Sequence, residues 1–183
     1  RLNLKQNFKS IDDFLRSLKI KLKFEINNPD NVGRSSQMTN KTNQFNLTTQ
    51  RYSINEMRDF FQDSNTICVS MFVEDKFGKS GNTGFSIIKL NNESAYIDTL
   101  LISCRIIGRK IEYVFFDYII QILLKNKIQK INTKYIKSNK NYQVSNFYDN
   151  LGFNNINSDE LETNYNINSK DYIFQNIDFI EII

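Results

Sequence analysis

At 183 residues the chain is long enough for one domain of ordinary size with a proper core, and too short for two full ones. Its 24 Lys and Arg against 20 Asp and Glu leave a formal charge of +4, spread along the sequence; this is too weak to argue for nucleic acid, while partners bearing phosphates stay open. The absence of histidine removes Ser-His-Asp and Cys-His catalysis and every histidine-metal site from within the chain, so acid or base work falls to carboxylates, Tyr, Lys, Cys or the substrate itself.

The most apolar run, Tyr113 to Leu124, is too short to span a bilayer and carries Asp117 and Gln121. With no signal-peptide pattern in the sequence as given, we expect a soluble cytoplasmic protein. Cys68 and Cys104 lie in apolar stretches and make neither a disulfide framework nor a metal cluster, so free thiols and no metal are expected. The sequons at Asn40, Asn46 and Asn92 are read as chance in an Asn-rich chain.

In chain order, Ser10 followed by IDDFLRSL has the polar start, early acids and apolar spacing of a short helix, and Lys19 to Ile26 alternates like a half-buried strand. NNPDN is a turn, with Asp30 or Asn31 placed to cap a helix from about Val32 into the motif KTNQFNLTTQRY, residues 41 to 52. Ser53 and Glu56 form a capping box before MRDFF. TICVSMFVED and TGFSIIKL then read as strands separated by the Gly-bearing loop KFGKSGN, and a third strand from Ser94 completes an antiparallel meander. An edge strand near TICVSMFV is a candidate for pairing two chains.

A long apolar-striped helix is predicted from Gly108 or Arg109 to about Asn126, then a strand over QKINTKYI. KNYQVSNFYDNLGF reads as helical to Leu151 with Gly152 as its cap, and YIFQNI as a closing strand. The fold class is mixed α/β (α+β). Residues 154–183 otherwise carry no usable motif.

Two places invite chemistry. In IDTLLISCRIIGRKIE a strand runs into a turn and a helix N-terminus, which leaves backbone N–H groups free with the helix dipole behind them; this is either a phosphate site or a plain helix start. In the motif at 41–52, Asn43, Asn46, Thr48 and Thr49 offer neutral donors and acceptors for a hydroxylated acyl chain, and Arg51 suits a carboxylate or phosphate; the alternative is a capped helix end. Cys104, beside Arg105, is either a thiolate nucleophile or a packing residue, whereas Cys68 reads as core. Asp98, in an apolar strand, needs a partner such as Arg105 or Arg51, and with Glu74 it is a candidate base or a holder of substrate hydroxyls.

Asn141, Val144, Phe147, Tyr148 and Leu151-Gly152-Phe153 have a spacing that resembles the fourth helix of the GNAT acyltransferases, and Arg105-x-x-Gly108 resembles their pyrophosphate loop, with Lys110 where that pattern has a small residue. The resemblance implies a GNAT-like fold, a mostly antiparallel central sheet flanked by helices, in which two neighbouring strands part to admit a phosphopantetheine arm. It assigns cofactor contacts to Ile102, Ser103, Arg105, Gly108, Arg109, Lys110 and Asn141, and makes Tyr148 the acid for the departing thiolate. KTNQFNLTTQRYS, KFGKSGNTG, IDTLLISCRIIGRKIE and KNYQVSNFYDNLGF, in that order, are similar to the C-terminal GNAT-like domain of FkbH-like proteins, which carry an upstream HAD-type phosphatase domain and load a glyceryl unit onto acyl carrier protein. Residues 1–18 then resemble the connector from that upstream domain, and 19–183 the GNAT-like domain. The implied activity is transfer of a small acyl group to or from the pantetheine thioester of CoA or acyl carrier protein. Two alternatives stay open: a non-catalytic module that binds the carrier's pantetheine arm, and an N-acyltransferase acting on a sugar or amine.

Overall fold

The computed structural model describes residues 10–183. Helix α1 (Ile11–Ser17) starts at Ser10, whose hydroxyl accepts from the Asp13 N–H. Of the segment expected to be a connector, residues 1–9 lie outside the described residues, and Leu15 and Leu18 from the remainder sit in the main core. Strand β1 (Ile20–Ile26), helix α2 (Val32–Lys41), the two-residue strand β2 (Phe45–Asn46) and helix α3 (Ile54–Gln62) follow. The hairpin β3 (Thr66–Asp75) and β4 (Gly78–Asn91) leads to β5 (Ser94–Ile102), helix α4 (Ile111–Lys125) and β6 (Lys130–Ile136). The chain ends with the short helix α5 (Phe147–Asn150), the hairpin β7 (Asn154–Ser158) and β8 (Glu162–Asn168), and β9 (Ile180–Ile182).

One nine-stranded sheet runs in the order β7-β8-β6-β5-β4-β3-β1-β9, with β2 added onto β5. Pairing is antiparallel except for β5 with β6 and β1 with β9. Because side chains alternate along a strand, each face of the sheet carries its own core. Cys68, Phe85, Ile87 and Leu101 meet Met38 of α2 and Met57 and Phe61 of α3 on one face. Val69, Ile97, Leu100 and Ile102 meet Phe115, Phe116 and Ile119 of α4 on the other, with Phe147 and Tyr148 of α5. Both faces are covered by helices.

The capping box at α3 forms as expected: Ser53 Oγ accepts from the Glu56 N–H and Glu56 Oε2 from the Ser53 N–H. Other expectations are corrected. Neither Asp30 nor Asn31 caps α2 with its side chain; Asn28 caps the 3-10 turn Pro29–Asn31 before it. KFGKSGN is not a loop, since Asp75 pairs with Gly78 and only Lys76 and Phe77 turn the hairpin; Gly78 and Gly81, at φ 126° and 73°, let the strand continue through register shifts. KNYQVSNFYDNL is a 3-10 turn over Tyr142–Val144 and then the short α5, because the Asn141 amide turns inward to bond backbone rather than start a helix. Tyr172–Ile177 forms no strand: buried Asp117 of α4 accepts from the Tyr172 hydroxyl (2.7 Å) and from the N–H groups of Gln175 and Asn176, removing those amides from any ladder. Strand β3 lies between β1 and β4, so it is not an edge. Among the described residues no helix is long and apolar enough to cross a membrane.

Candidate functional site

Strands β5 and β6 run side by side only from Ser94↔Lys130 to Ile97↔Thr133. Beyond that point they part. A register shift in β4 and β5, from Ile88↔Ile97 to Ile87↔Thr99, leaves Asp98 as a bulge at the apex of the fork. The Thr133 hydroxyl donates to the Ile97 carbonyl (3.1 Å) and shares a hydrogen bond with the Tyr148 hydroxyl (2.9 Å), so the tyrosine is anchored at the same apex. Tyr148 is 1% exposed, and burial raises the pKa of its phenol.

The fork is not empty. Phe45 and Asn46 pair with Ile102 and Leu101 of β5, and the Leu47 N–H donates to the Leu100 carbonyl (3.2 Å). The Thr48 hydroxyl also donates to the Asp98 carbonyl of β5 (2.8 Å), and on the other side the Ile136 N–H of β6 donates to the Leu47 carbonyl (2.8 Å). A piece of the chain's own backbone therefore bridges the parted strands as an inserted strand does. Asn141 closes it in: its amide nitrogen donates to the carbonyls of Asn46 and Ile136 (both 2.9 Å), and its oxygen accepts from the Ser138 N–H (2.8 Å) and the Tyr135 hydroxyl (3.0 Å). All four hydrogen-bonding positions of that amide are used. Asn141 lies at the fork as the resemblance requires, but its donors meet the chain's own carbonyls.

The same holds for the polar motif. Asn46 caps its own turn, with Oδ1 accepting from the Thr49 N–H (2.9 Å) and Nδ2 donating to Thr42 (3.2 Å). Thr49 sits at φ 54°, in the left-handed region. Arg51 donates to the carbonyls of Thr39 and Thr42 and to the Asn43 side chain, which ties the end of α2 to the following loop. Asn43 is half-buried beside it.

Neither Arg51 nor Arg105 partners Asp98. Its carboxylate accepts hydrogen bonds from the Tyr52 hydroxyl (2.6 Å), the Lys89 ammonium (2.7 Å) and the Thr99 hydroxyl (3.0 Å). Burial, with Asp98 second, raises the Tyr52 phenol. Sequence reasoning missed Tyr52 and Lys89; nine residues separate Lys89 from Asp98, and only the hairpin register joins them. Glu74 lies elsewhere, in a depression with Lys21, Lys23 and Lys79.

After β5 the chain makes a 3-10 turn over Cys104–Ile106, and Cys104 is exposed there rather than packed in a strand. Ile102 is paired on both edges, to Gly84 and Phe45, and the Ser103 N–H donates to the Thr83 carbonyl (2.8 Å). Gly108 and Lys110 take positive φ of 79° and 62°, and the backbone N–H groups of Ile107, Gly108, Arg109 and Lys110 donate to no acceptor among the described residues. The Arg109 guanidinium reaches back to the Arg105 carbonyl (3.4 Å). Arg109 pairs with buried Asp75 (2.7 Å), and the Lys110 ammonium pairs with Asp12 of α1 (2.9 Å).

Two hollows flank the fork segment. On the α4 and α5 side a groove of about 160 Å³ lies between Gly108, Glu112 and Tyr113 and the Gln143–Phe147 stretch, with Phe45 at its end. Burial pushes the Glu112 carboxyl up. On the α2 side a cleft of about 830 Å³ is bounded by Arg34, Lys41, Asn43, Cys104, Arg105 and Lys140. Arg34 was not singled out from the sequence, where nothing marks it off from the helix surface around it.

Neither a protein-family model nor a curated protein sequence matches the chain. Solved structures do. A ribosomal-protein alanine N-acetyltransferase from Escherichia coli superposes with a TM-score of 0.64 at 11% identity, over 80% of this chain and 93% of that one. Spermidine/spermine N-acetyltransferase SpeG from Vibrio cholerae gives 0.62 at 14%, over 82% and 95%. The PaiA N-acetyltransferase from Thermoplasma acidophilum, solved in complex with coenzyme A, gives 0.58 at 14%, over 79% and 98%. The chain has the fold of these GNAT enzymes.

Proposed function

We propose that the domain is an acyltransferase working on the pantetheine thioester of CoA or of an acyl carrier protein. The observation that carries this reading is the fork itself: β5 and β6 part past Ile97 and Thr133, with amides at Ile107 to Lys110 beyond its mouth that meet no acceptor among the described residues, and the Tyr148 hydroxyl at its apex. The outer parts suit such a ligand, since free N–H groups before a helix of 15 residues favour a phosphate. The inner part does not admit it in this conformation, because Phe45 to Leu47 already use the pairing edge of β5 and the donors of Asn141. The segment must withdraw before an arm can reach Tyr148.

When bound, the pantetheine thioester supplies an activated acyl carbon. The chain's own residues then have limited tasks. The amides at Ile107 to Lys110 hold the phosphate, the Tyr148 hydroxyl holds a proton at the fork apex, and the Asp98–Tyr52–Lys89 cluster orders the opposite face. The four blocks that resemble FkbH-like proteins favour a small glyceryl-like acyl group and a carrier-protein partner beside an upstream phosphatase domain. Exposed Cys104 remains a candidate acyl carrier at the cleft, and a sugar or amine is the other acceptor class.

A second reading has its own observation. The filled fork and the saturated Asn141 favour a non-catalytic module in which the fold is kept and the slot is closed. One experiment separates the two: the domain is incubated with acyl-CoA and with acylated carrier protein, while hydrogen exchange is followed at the Leu47 amide. Turnover with faster Leu47 exchange supports transfer. No turnover and unchanged exchange with either donor leaves only the closed module. Intact-mass measurement of the same mixtures, against Cys104→Ser, tests the covalent role of Cys104.

A further inference from the structure

The cleft on the α2 side gathers cations. Arg34, Lys41, Arg105 and Lys140 all line it, and no Asp or Glu does. Seven cations elsewhere, Arg16, Lys21, Lys23, Lys89, Arg109, Lys110 and Lys134, each hold a carboxylate. None of the four in the cleft has such a partner among the described residues.

Arg34 is held in place by neutral groups. Its Nε and Nη2 donate to the Asn82 carbonyl (3.3 and 3.2 Å) and its Nη1 to Gln37. That grip fixes the guanidinium without neutralising it. Burial lowers its pKa, and repulsion from Arg105, which lines the same cleft, adds to the effect. Beside this anchorage the structure leaves polar atoms unsatisfied: the side chains of Asn82, 7% exposed, and of its neighbour Thr83 and of Ser35 next to Arg34 have buried polar atoms with no partner among the described residues. None of these three residues lines the cleft, which is bounded instead by the four cations.

We propose that this cleft binds the carboxylate or phosphate of the acyl acceptor, with Arg34 and Arg105 as its charge partners and Asn43, Gln44 and Asn139 available to hydroxyl groups of the same molecule. The acceptor class is thus a small, hydroxylated, anionic molecule. Naming it the acceptor rests on the acyl-transfer reading; the binding of an anion does not. Arg51, the residue that the motif offers for this task, is tied to the end of α2, and Arg34 takes its place.

The test is calorimetric titration of the domain with inorganic phosphate and, separately, with malonate. Saturable binding of either anion, weakened about tenfold or more in both Arg34→Gln and Arg105→Gln, is the expected result, since each removes a charge-assisted contact. Arg105 is exposed, so its variant keeps the test open if Arg34→Gln fails to fold. No saturable binding, or equal binding by both variants, overturns the site. Displacement of the bound phosphate by CoA, with CoA itself weakened in Arg34→Gln, overturns the acceptor assignment by giving the cleft to the thioester carrier. Anion binding as expected in a domain that shows no turnover leaves the site standing and removes the transfer reading alone.

Discussion

Asn141→Ala is the sharpest perturbation of the fork. The wild-type amide makes four hydrogen bonds at 0% exposure, two given to the carbonyls of Asn46 and Ile136 and two received from Ser138 and Tyr135. At about 1 kcal/mol net per bond, and more where a buried partner is left unsatisfied, the variant is expected to lose about 4 kcal/mol of unfolding free energy. Tyr135→Phe removes one of the four and serves as the internal ruler, at about 1 kcal/mol. Urea denaturation of both variants gives the two numbers on one scale, provided the slope with denaturant is unchanged. Hydrogen exchange adds the local view: the Leu47 amide, bonded to Leu100, should open more readily in Asn141→Ala than the interior amides of β3 and β4 do after the global loss is subtracted. Equal losses in Asn141→Ala and Tyr135→Phe, with Leu47 exchange unchanged, would falsify the view that this amide closes the fork segment in.

Three further outcomes follow from single groups. Cys68 is 0% exposed and burial pushes its thiol up to about 12, while Cys104 is exposed, so a thiol reagent should label one cysteine in the native protein, none in native Cys104→Ser, and both wild-type cysteines after denaturation. Glu25 is lowered to about 2, first by the Lys23 hydrogen bond and then by Asn31 and Asn28. A depressed carboxylate stabilises above its unfolded pKa and loses that contribution as pH falls toward 2; the urea midpoint of Glu25→Gln should therefore trail wild type at pH 7 and converge with it at the acid end. Gly84→Ala places a methyl 2.5 Å from the end of Met71 and 3.3 Å from Phe115, both in the core, and is expected to cost about 2 kcal/mol by thermal unfolding, as overpacked sites do.

Much of the architecture was legible because its signals are local. The Ser53 and Glu56 box, the period-two run of β3 to β5 and the apolar stripe of α4 lie within short windows and agree with the final structure. The hairpin β7 and β8 was not read, since β7 is exposed along its whole length and its NNINS sequence carries no buried face to set a period. The motif at 41–52 shows the deeper reason why sites are harder. A ligand pocket and a buried polar corner recruit the same Asn, Thr and Arg, and what separates them is whether the donors are already used. That depends on Leu100, Ile136 and Asn141, as many as 95 residues away along the chain. Arg34 was missed for the converse reason: that it meets neutral groups and no carboxylate among the described residues is a property of its neighbours in space.

The filled fork also bears on which thioester carrier the domain would use. Withdrawing the segment undoes the pairing of Phe45 and Asn46 with β5 and four further bonds, from Leu47 to Leu100, Ile136 to Leu47, Asn141 to Asn46 and Thr48 to Asp98. At about 1 kcal/mol each, those four alone cost about 4 kcal/mol and leave at most roughly one molecule in a thousand competent. A free ligand with micromolar affinity for the open state then binds at about millimolar strength overall. An arm delivered by a docked carrier protein meets the fork at an effective concentration that itself reaches the millimolar range, and so overcomes a barrier that free CoA at low concentration does not. Acylated carrier protein should therefore turn over at concentrations where acyl-CoA is inert. Micromolar binding of free CoA by the isolated domain would mean that the segment does not close the fork in solution, and the preference for a tethered arm would have no physical basis.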